Sequence, residues 1–539
     1  MYPRGATAHG RSFAPVTTLA MHPEAQVLSI SYERRTAYLP QADTSRRQSK
    51  LCKDSSFQTN CLCKRCNESH SNVLKIRLCM PRGCADARSA GAPETGMFNE
   101  KGDMLYTEDR RMNEFLMRYL KAGITPYHLV ETCVMDLEQA GYTPLVMEKA
   151  WELEENKKYY INHHGTTLVT FMTPTKEAMV AHTDHLALRI AAAHTDYPCM
   201  RIKANPDTKT NCYQKVNVEV YGGAILNTWL DRPLGIAGRV ALRSEHCLRP
   251  EVRVYDSKRP LATIPNLAIH MNRDVNKGVE LNRQTDMLPL LGMGEDENAF
   301  MQFLAKELGV AVKDILDFEL STYVWEEPIT LGLRKEMISS PRIDNISSCA
   351  AIVEAMCKNE AAKQLNLGIL YDHEEIGSRT KQGAGSALLT DVIEKIYESM
   401  GLTVRTAKDA IYQGLMLSAD VAHALHPNHV EKADITTQPV MGKGVTIKEA
   451  AAQSYATDCE AIAIIEQMAA MYEISYQKFV NRSDIVGGGT LGAISSALLP
   501  MRTIDVGVPM LAMHSARELM GTADYESLQR LVAAFYEVA

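Results

Sequence analysis

Short apolar runs along this chain repeatedly end in an acidic or imidazole side chain. Beyond Leu331, helical stretches alternate with the runs Leu367 to Tyr371, Gly414 to Ser418 and Thr503 to Val506, which predicts an α/β layer built on a largely parallel sheet. Upstream, the apolar run from Leu186 to Ala193 ends at His194, with Asp196 two residues on. Glu374 and Glu375 follow Tyr371, Asp420 follows Ser418, and His514 follows the run Pro509 to Met513. In an open α/β sheet ligands collect beyond the carboxyl ends of the strands, so these groups are expected to converge on one crevice although they are far apart in sequence.

Two histidines with three or more carboxylates and no thiolate form a nitrogen and oxygen ligand set. Such a set suits zinc, manganese or cobalt in a catalytic site with an open position. Hydrolysis with two metals needs a bridging carboxylate, terminal His and carboxylate ligands, and a base beside the water. The neighbours Glu374 and Glu375, on a loop leaving a strand, point differently, so one can bind metal while the other receives a proton. Asp196 is placed to hold the His194 imidazole in its ligating tautomer. A lone histidine at a strand end is more often a surface or hydrogen-bonded residue than a ligand, so it is the whole set that carries the reading. His182-Thr183-Asp184 repeats the triplet of residues 194–196 but precedes an apolar run, and reads as exposed loop. His423 and His426, three residues apart, suit the lining of a pocket.

A chain of 539 residues suggests two or three domains. Residues 1–97 are rich in Arg, Ser, Thr, Pro and Cys without lasting periodicity, and read as a poorly ordered extension. Within them Cys61, Cys63 and Cys66, near Cys52, Cys79 and Cys84, lack the second pair of structural zinc. Met97 or Met104 is a plausible start of the folded part. Helical periodicity covers the stretch from Glu108 and then Pro126 to Ala140, and Tyr159 to Phe171 reads as a hairpin about His163, His164 and Gly165. Residues 201–330 hold short β-type runs such as Val216 to Tyr221 and Arg239 to Leu242, and read as an inserted β-rich domain. That leaves 98–200 and 331–539 as a discontinuous catalytic α/β domain. A net charge of -7 gives no electrostatic case for nucleic acid, and no apolar run is long enough to span a membrane. With no secretory signal pattern, the chain reads as cytoplasmic, its 13 cysteines reduced.

The segments 193–199 (Ala-His-Thr-Asp-Tyr-Pro-Cys), 340–345 (Ser-Pro-Arg-Ile-Asp-Asn), 372–378 (Asp-His-Glu-Glu-Ile-Gly-Ser), 418–428 (Ser-Ala-Asp-Val-Ala-His-Ala-Leu-His-Pro-Asn) and 513–518 (Met-His-Ser-Ala-Arg-Glu) resemble, in this order, signature segments of the aspartyl aminopeptidase and vacuolar aminopeptidase I family of dinuclear zinc exopeptidases. Tyr221-Gly222-Gly223, Asp231-Arg232, Gly238-Arg239 and the stretch Pro265 to His270 also look like that family. The resemblance covers about residue 105 to the C-terminus.

It implies a zinc-peptidase-like fold, helices flanking the sheet and the insert serving dimerisation. It implies two zinc ions per subunit, with manganese or cobalt as alternatives: His194 and Asp420 at one, Glu375 and His514 at the other, and Asp344 between them. Spacing alone reads Asp344 as the cap of a helix after a turn. Glu374 would be the general base toward a bridging water. His270 would reach a neighbouring subunit's active site and stabilise the oxyanion. The partners implied are peptide substrates and further copies of the chain, in a tetrahedral dodecamer. Lys448 matches a lysine that faces acidic substrate side chains, but the usual preceding proline is absent and Lys443 is nearby, so Asp or Glu against Leu stays open. The run Gly487 to Gly492 lacks the Lys-Ser or Lys-Thr of a phosphate loop and fits a substrate-cleft loop of the family. Competing readings are a deacylase with the same two-metal arrangement, a non-catalytic assembly protein with the same shell, and a zinc-dependent nucleic-acid binder through residues 52–84. The complete ligand set with Glu374 argues against the non-catalytic reading, and substrate screening distinguishes the deacylase.

Overall fold

The apolar runs become the centre of a nine-stranded sheet in a computed structural model that describes residues 109–182, 186–360 and 362–538. The extension at 1–97 with its cysteines, Met97, Met104, and Thr183 and Asp184 of the second triplet lie outside the described residues. Four strands, Leu365–Tyr371, Leu188–His194, Leu415–Ala419 and Arg502–Gly507, lie side by side and parallel. Tyr371 stands opposite His194, and Ala419 opposite Val506, so all four chains leave the sheet along one edge. On one flank the antiparallel hairpin Lys158–His163 and Thr167–Met172 turns at His164 and Gly165, both at positive φ. On the other flank Val445–Glu449 pairs antiparallel with Arg502–Gly507, and Tyr476–Val480 follows it in parallel.

Both faces of this sheet are covered, which is why its central strands read as continuous apolar runs without alternation. Leu188, Ile190 and Ala192 pack with the helices Leu388–Ser399, Val404–Gln413 and Leu491–Leu498. Ala191 and Ala193 face the opposite layer, made by Asp109–Ala122, Pro126–Gln139, Ile343–Lys358, Cys459–Met471 and Thr522–Glu537. The helix Ile343–Lys358 is buried on every side from Ile343 to Met356, as a helix enclosed between a sheet and outer helices must be.

A second, six-stranded sheet is antiparallel and uses only the strands between Cys199 and Val324. It has its own apolar cluster, including Met200, Trp229, Ile236, Phe300, Leu304 and Leu320, apart from the clusters on either face of the large sheet. A third sheet was not anticipated from the sequence. It joins Ile329–Leu331, Met337–Ser340, Glu518–Gly521, Pro509–Leu511 and Ala422–His423. Strands of two to four residues carry too little periodicity to be read in advance. Its register sets Ser340 opposite Glu518 and Leu511 opposite Leu519, which brings the approach to Asp344 beside the loop that carries His514. Among the described residues no helix is long and apolar enough to cross a membrane.

Candidate metal centre and active site

His194 is the last residue of its strand and is fully buried. Its Nε2 lies 3.4 Å from Asp344 Oδ1 and 3.4 Å from Asp420 Oδ1. The other oxygen of Asp344 lies 3.3 Å from His514 Nε2, which is also 3.3 Å from Glu375 Oε1. The candidate ligand atoms thus form two groups, His194 with Asp344 and Asp420, and Asp344 with Glu375 and His514, each within 4.8 Å. Asp344 belongs to both and offers one oxygen to each.

The elements explain this placement. Glu374 and Glu375 sit in a single 3-10 turn directly after Leu365–Tyr371, and Asp420 directly follows Leu415–Ala419. Asp344 stands at the entrance of its helix with non-helical φ and ψ and makes no cap. Its N–H instead donates to Glu518 Oε2 at 3.1 Å, while Glu518 Oε1 accepts from the His514 N–H at 2.7 Å. One buried carboxylate therefore holds the backbone of two candidate ligands. Glu518 was not singled out in the sequence, though its place four residues after His514 in a family-like segment was the available signal. Gly222 and Gly223 let the smaller sheet's edge approach closely: a Cβ at Gly222 would stand 3.2 Å from Glu375, and one at Gly223 3.1 Å from His514 Nδ1.

Asp196 lies against the His194 imidazole and also serves a second group. The His194 Nδ1 is 3.0 Å from the Asp196 carbonyl oxygen and 3.5 Å from its carboxylate, so the main chain holds the imidazole more closely. The carboxylate accepts the N–H of Glu374 at 3.0 Å and of Glu375 at 3.1 Å, and Tyr221 donates its hydroxyl at 2.7 Å. Asp196 thus shapes the turn that presents both glutamates.

Burial, together with Asp420, Asp196 and Asp344, pushes the Glu374 carboxyl up to about 7 against the pull of His194. Burial and Asp344 likewise raise Glu375. Burial also disfavours the charged Asp344, but His194 and His514 outweigh it and hold its carboxyl below the usual range. Burial lowers His514, yet Asp344 and Glu375 bring it up to about 10. A buried crowd of carboxylates sharing two imidazoles suits a cation by its charge. Asp344 Oδ1 and Glu375 Oε1 are buried and make no hydrogen bond. The spacings of 3.3 and 3.4 Å fit zinc, because ligands each about 2.1 Å from a tetrahedral ion stand about 3.4 Å apart.

Beside these groups lies a cavity of about 500 Å³, lined among others by His423, His426, Phe479, Gly487, Met510 and Met513. His423 meets the Phe479 ring edge-on at 5.9 Å, and His426 lies beside His429. The Gly-rich loop borders this cavity and leads into the helix Leu491–Leu498. Lys448 does not line it. Its ammonium is buried, 3.3 Å from Asp420 Oδ2 and 3.1 Å from the Val421 carbonyl oxygen. His270 lies in an exposed turn of the 201–330 span and is not among the residues brought together within this chain.

The profile described as aminopeptidase I zinc metalloprotease (M18) matches residues 119–536. The chain belongs to the M18 peptidase family. It is a zinc-dependent aminopeptidase. A probable M18 family aminopeptidase 2 from Clostridium novyi (strain NT) is 41% identical over 428 residues, covering 78% of this chain and 98% of the relative. The cryo-EM structure of the Ape4 and Nbr1 complex matches with a TM-score of 0.75 at 30% identity, covering 81% of this chain and 87% of that one. The S. cerevisiae mApe1 dodecamer shares the fold, with a TM-score of 0.67 at 23% identity over 80% of this chain and 97% of that one. M18 membership thus agrees with the mixed α/β architecture and with the nitrogen and oxygen ligand set.

Proposed function

We propose that this M18 enzyme removes N-terminal residues from peptides with two zinc ions per subunit and Glu374 as the general base. The observation that carries the reading is Asp344, which turns one oxygen toward His194 and the other toward His514. His194 and Asp420 would hold one ion, Glu375 and His514 the other. When bound, the zinc ions polarise the scissile carbonyl and make a water more acidic at neutral pH. Glu374 belongs to neither ligand group, and the Asp196 carboxylate fixes its backbone beside them, which leaves its carboxylate to take the proton from the attacking water and return it to the leaving amine. The surrounding carboxylates would anchor the free α-amino group of the substrate, which favours exopeptidase action.

Family resemblance points to acidic N-terminal residues. One observation favours neutral residues such as Leu: the Lys448 ammonium is engaged by Asp420, and Phe479, Met510 and Met513 give the neighbouring cavity an apolar wall. His423 and His426 would contact the substrate from the same cavity. We further propose self-association into a tetrahedral dodecamer, by analogy with the mApe1 dodecamer, with His270 serving the active site of a neighbouring copy.

Glu374→Gln tests the base. The variant should retain zinc by metal analysis and lose roughly 10²- to 10⁴-fold in kcat on aminoacyl-4-nitroanilides, the range for a removed general base. Turnover near the parent's would remove Glu374 from this role.

A further inference from the structure

We propose that Thr228 is a positioning residue for His514, so that the smaller sheet completes the metal site of its own chain. This rests on the reading of His514 as a zinc ligand. His514 lies in a loop between the short strands Pro509–Leu511 and Glu518–Gly521, where Ala512 and His514 are both held at positive φ, 58° and 64°. For residues with a Cβ that conformation costs energy, and it persists only where the surroundings over-determine it. Glu518 constrains the loop from inside by accepting the His514 N–H. From outside it is constrained by segment 223–228, which joins the strands Tyr213–Tyr221 and Leu234–Leu242 of the smaller sheet.

The His514 Nδ1 lies 3.3 Å from the Gly223 carbonyl oxygen. A carbonyl only accepts, so Nδ1 carries the hydrogen and Nε2 is the nitrogen left for a metal, 3.3 Å from Asp344 Oδ2 and 3.3 Å from Glu375 Oε1. The Ile225 N–H donates to the His514 carbonyl oxygen at 3.0 Å. Two residues on, the Ala516 N–H donates to Thr228 Oγ1 at 2.9 Å, and the Thr228 hydroxyl donates in turn to the Ile225 carbonyl oxygen at 2.6 Å. One hydroxyl therefore ties the His514 loop to the turn that sets Gly223 and Ile225 against the imidazole. Thr228 is itself held in place. Arg232 Nε donates to its carbonyl oxygen at 3.3 Å, and Arg232 shares the Glu326 carboxylate with Arg517, at 2.6 and 2.9 Å. Ala516 is buried in the apolar cluster of the smaller sheet together with Trp229, so its N–H has no water to turn to if the hydroxyl is lost.

The test compares the parent with Thr228→Val, which keeps the shape and loses the hydroxyl, and with Thr228→Ser, which keeps the hydroxyl. Zinc stoichiometry and affinity are read by competition with a chromogenic chelator, and the geometry of the sites by the visible absorption of the cobalt-loaded protein. In Thr228→Val one of the two zinc ions should bind roughly 10- to 100-fold more weakly, the usual effect of losing a partner that orients a ligand, and the cobalt spectrum should change. Thr228→Ser should stay within about threefold of the parent's affinity and keep its spectrum. Parent-level zinc affinity or an unaltered cobalt spectrum in Thr228→Val overturns the proposal, and so does a loss of equal size in Thr228→Ser. If Thr228→Val does not fold, Thr228→Ala takes its place under the same criteria. Failure of both to fold counts against the proposal, since the hydroxyl would then hold the fold instead of the ligand. His514→Ala separates the two readings: if it leaves zinc stoichiometry and affinity at the parent's level, the ligand assignment fails first, and if it lowers them while Thr228→Val does not, only the role of Thr228 fails.

Discussion

Asp196 commits its two carboxylate oxygens to the N–H groups of Glu374 and Glu375, and Tyr221 completes the shell around it. A carboxylate accepting from both amides keeps the turn in the one conformation that points Glu375 at Asp344 and leaves Glu374 beside them. Asp196→Asn replaces one acceptor by an N–H₂ that faces another donor, so kcat should fall roughly 10- to 100-fold, as for other groups that orient metal ligands. Tyr221→Phe removes one hydrogen bond to a charged acceptor, worth about 1.5 to 3 kcal/mol, and should cost less in kcat than Asp196→Asn. Steady-state kinetics on a Leu or Asp substrate, with thermal melts to check folding, would show the order. A larger loss in Tyr221→Phe would mean that Tyr221 touches the substrate itself.

At the level of elements, the site depends on how tightly the strand Arg502–Gly507 runs against the segment carrying Asp420. The Asp420 N–H donates to the Val506 carbonyl at 2.8 Å, and a Cβ at Gly507 would lie 1.6 Å from the Asp420 carbonyl oxygen. No side-chain movement can relieve a clash with main chain at that distance. Gly507→Ala should therefore destabilise the protein by about 3 kcal/mol or more, the upper end of overpacking, and weaken zinc binding as Asp420 is displaced. Gly488, in the loop bordering the cavity, has nothing within 4 Å of an added Cβ. Gly488→Ala is the control and should stay within about 0.5 kcal/mol of the parent in denaturant unfolding.

For the whole molecule, the buried carboxylates of the cluster predict a native state that is stabilised by bound cations. Removal of zinc by a chelator should abolish turnover and lower the melting temperature, and added zinc should restore both; an ion present at about 1,000 times its dissociation constant contributes about 4 kcal/mol of stability. An unchanged melting temperature after complete metal removal would mean that the cluster does not need the ions to fold. Deletion of residues 1–97 should leave aminopeptidase activity within about twofold of the full chain, because every candidate site residue and the family match lie beyond it. Light scattering on the 59.9 kDa chain tests the proposed dodecamer directly, and His270→Ala should lower kcat only if subunits share their sites.

The sequence by itself determined the layer architecture and offered the candidate residues of the site, because hydrophobic periodicity is local. Strands buried on both faces must be continuously apolar, and an acid or histidine that interrupts such a run marks its end, which is what makes His194, Glu374, Glu375, Asp420 and His514 candidates. Asp344 was legible only through family resemblance, since a turn before a helix carries no metal signal of its own. The tertiary structure alone decided which oxygen faces which imidazole. It set Glu518 under the Asp344 and His514 amides, turned the Asp196 carboxylate to the glutamate turn and engaged Lys448 with Asp420. Two of those contacts, Asp344 with Glu518 and Glu374 with Asp196, join segments more than a hundred residues apart, and they depend on strands of two to four residues and on buried charges. Such contacts leave no period in the chain, because their energy exists only once water has been excluded and the partners have met.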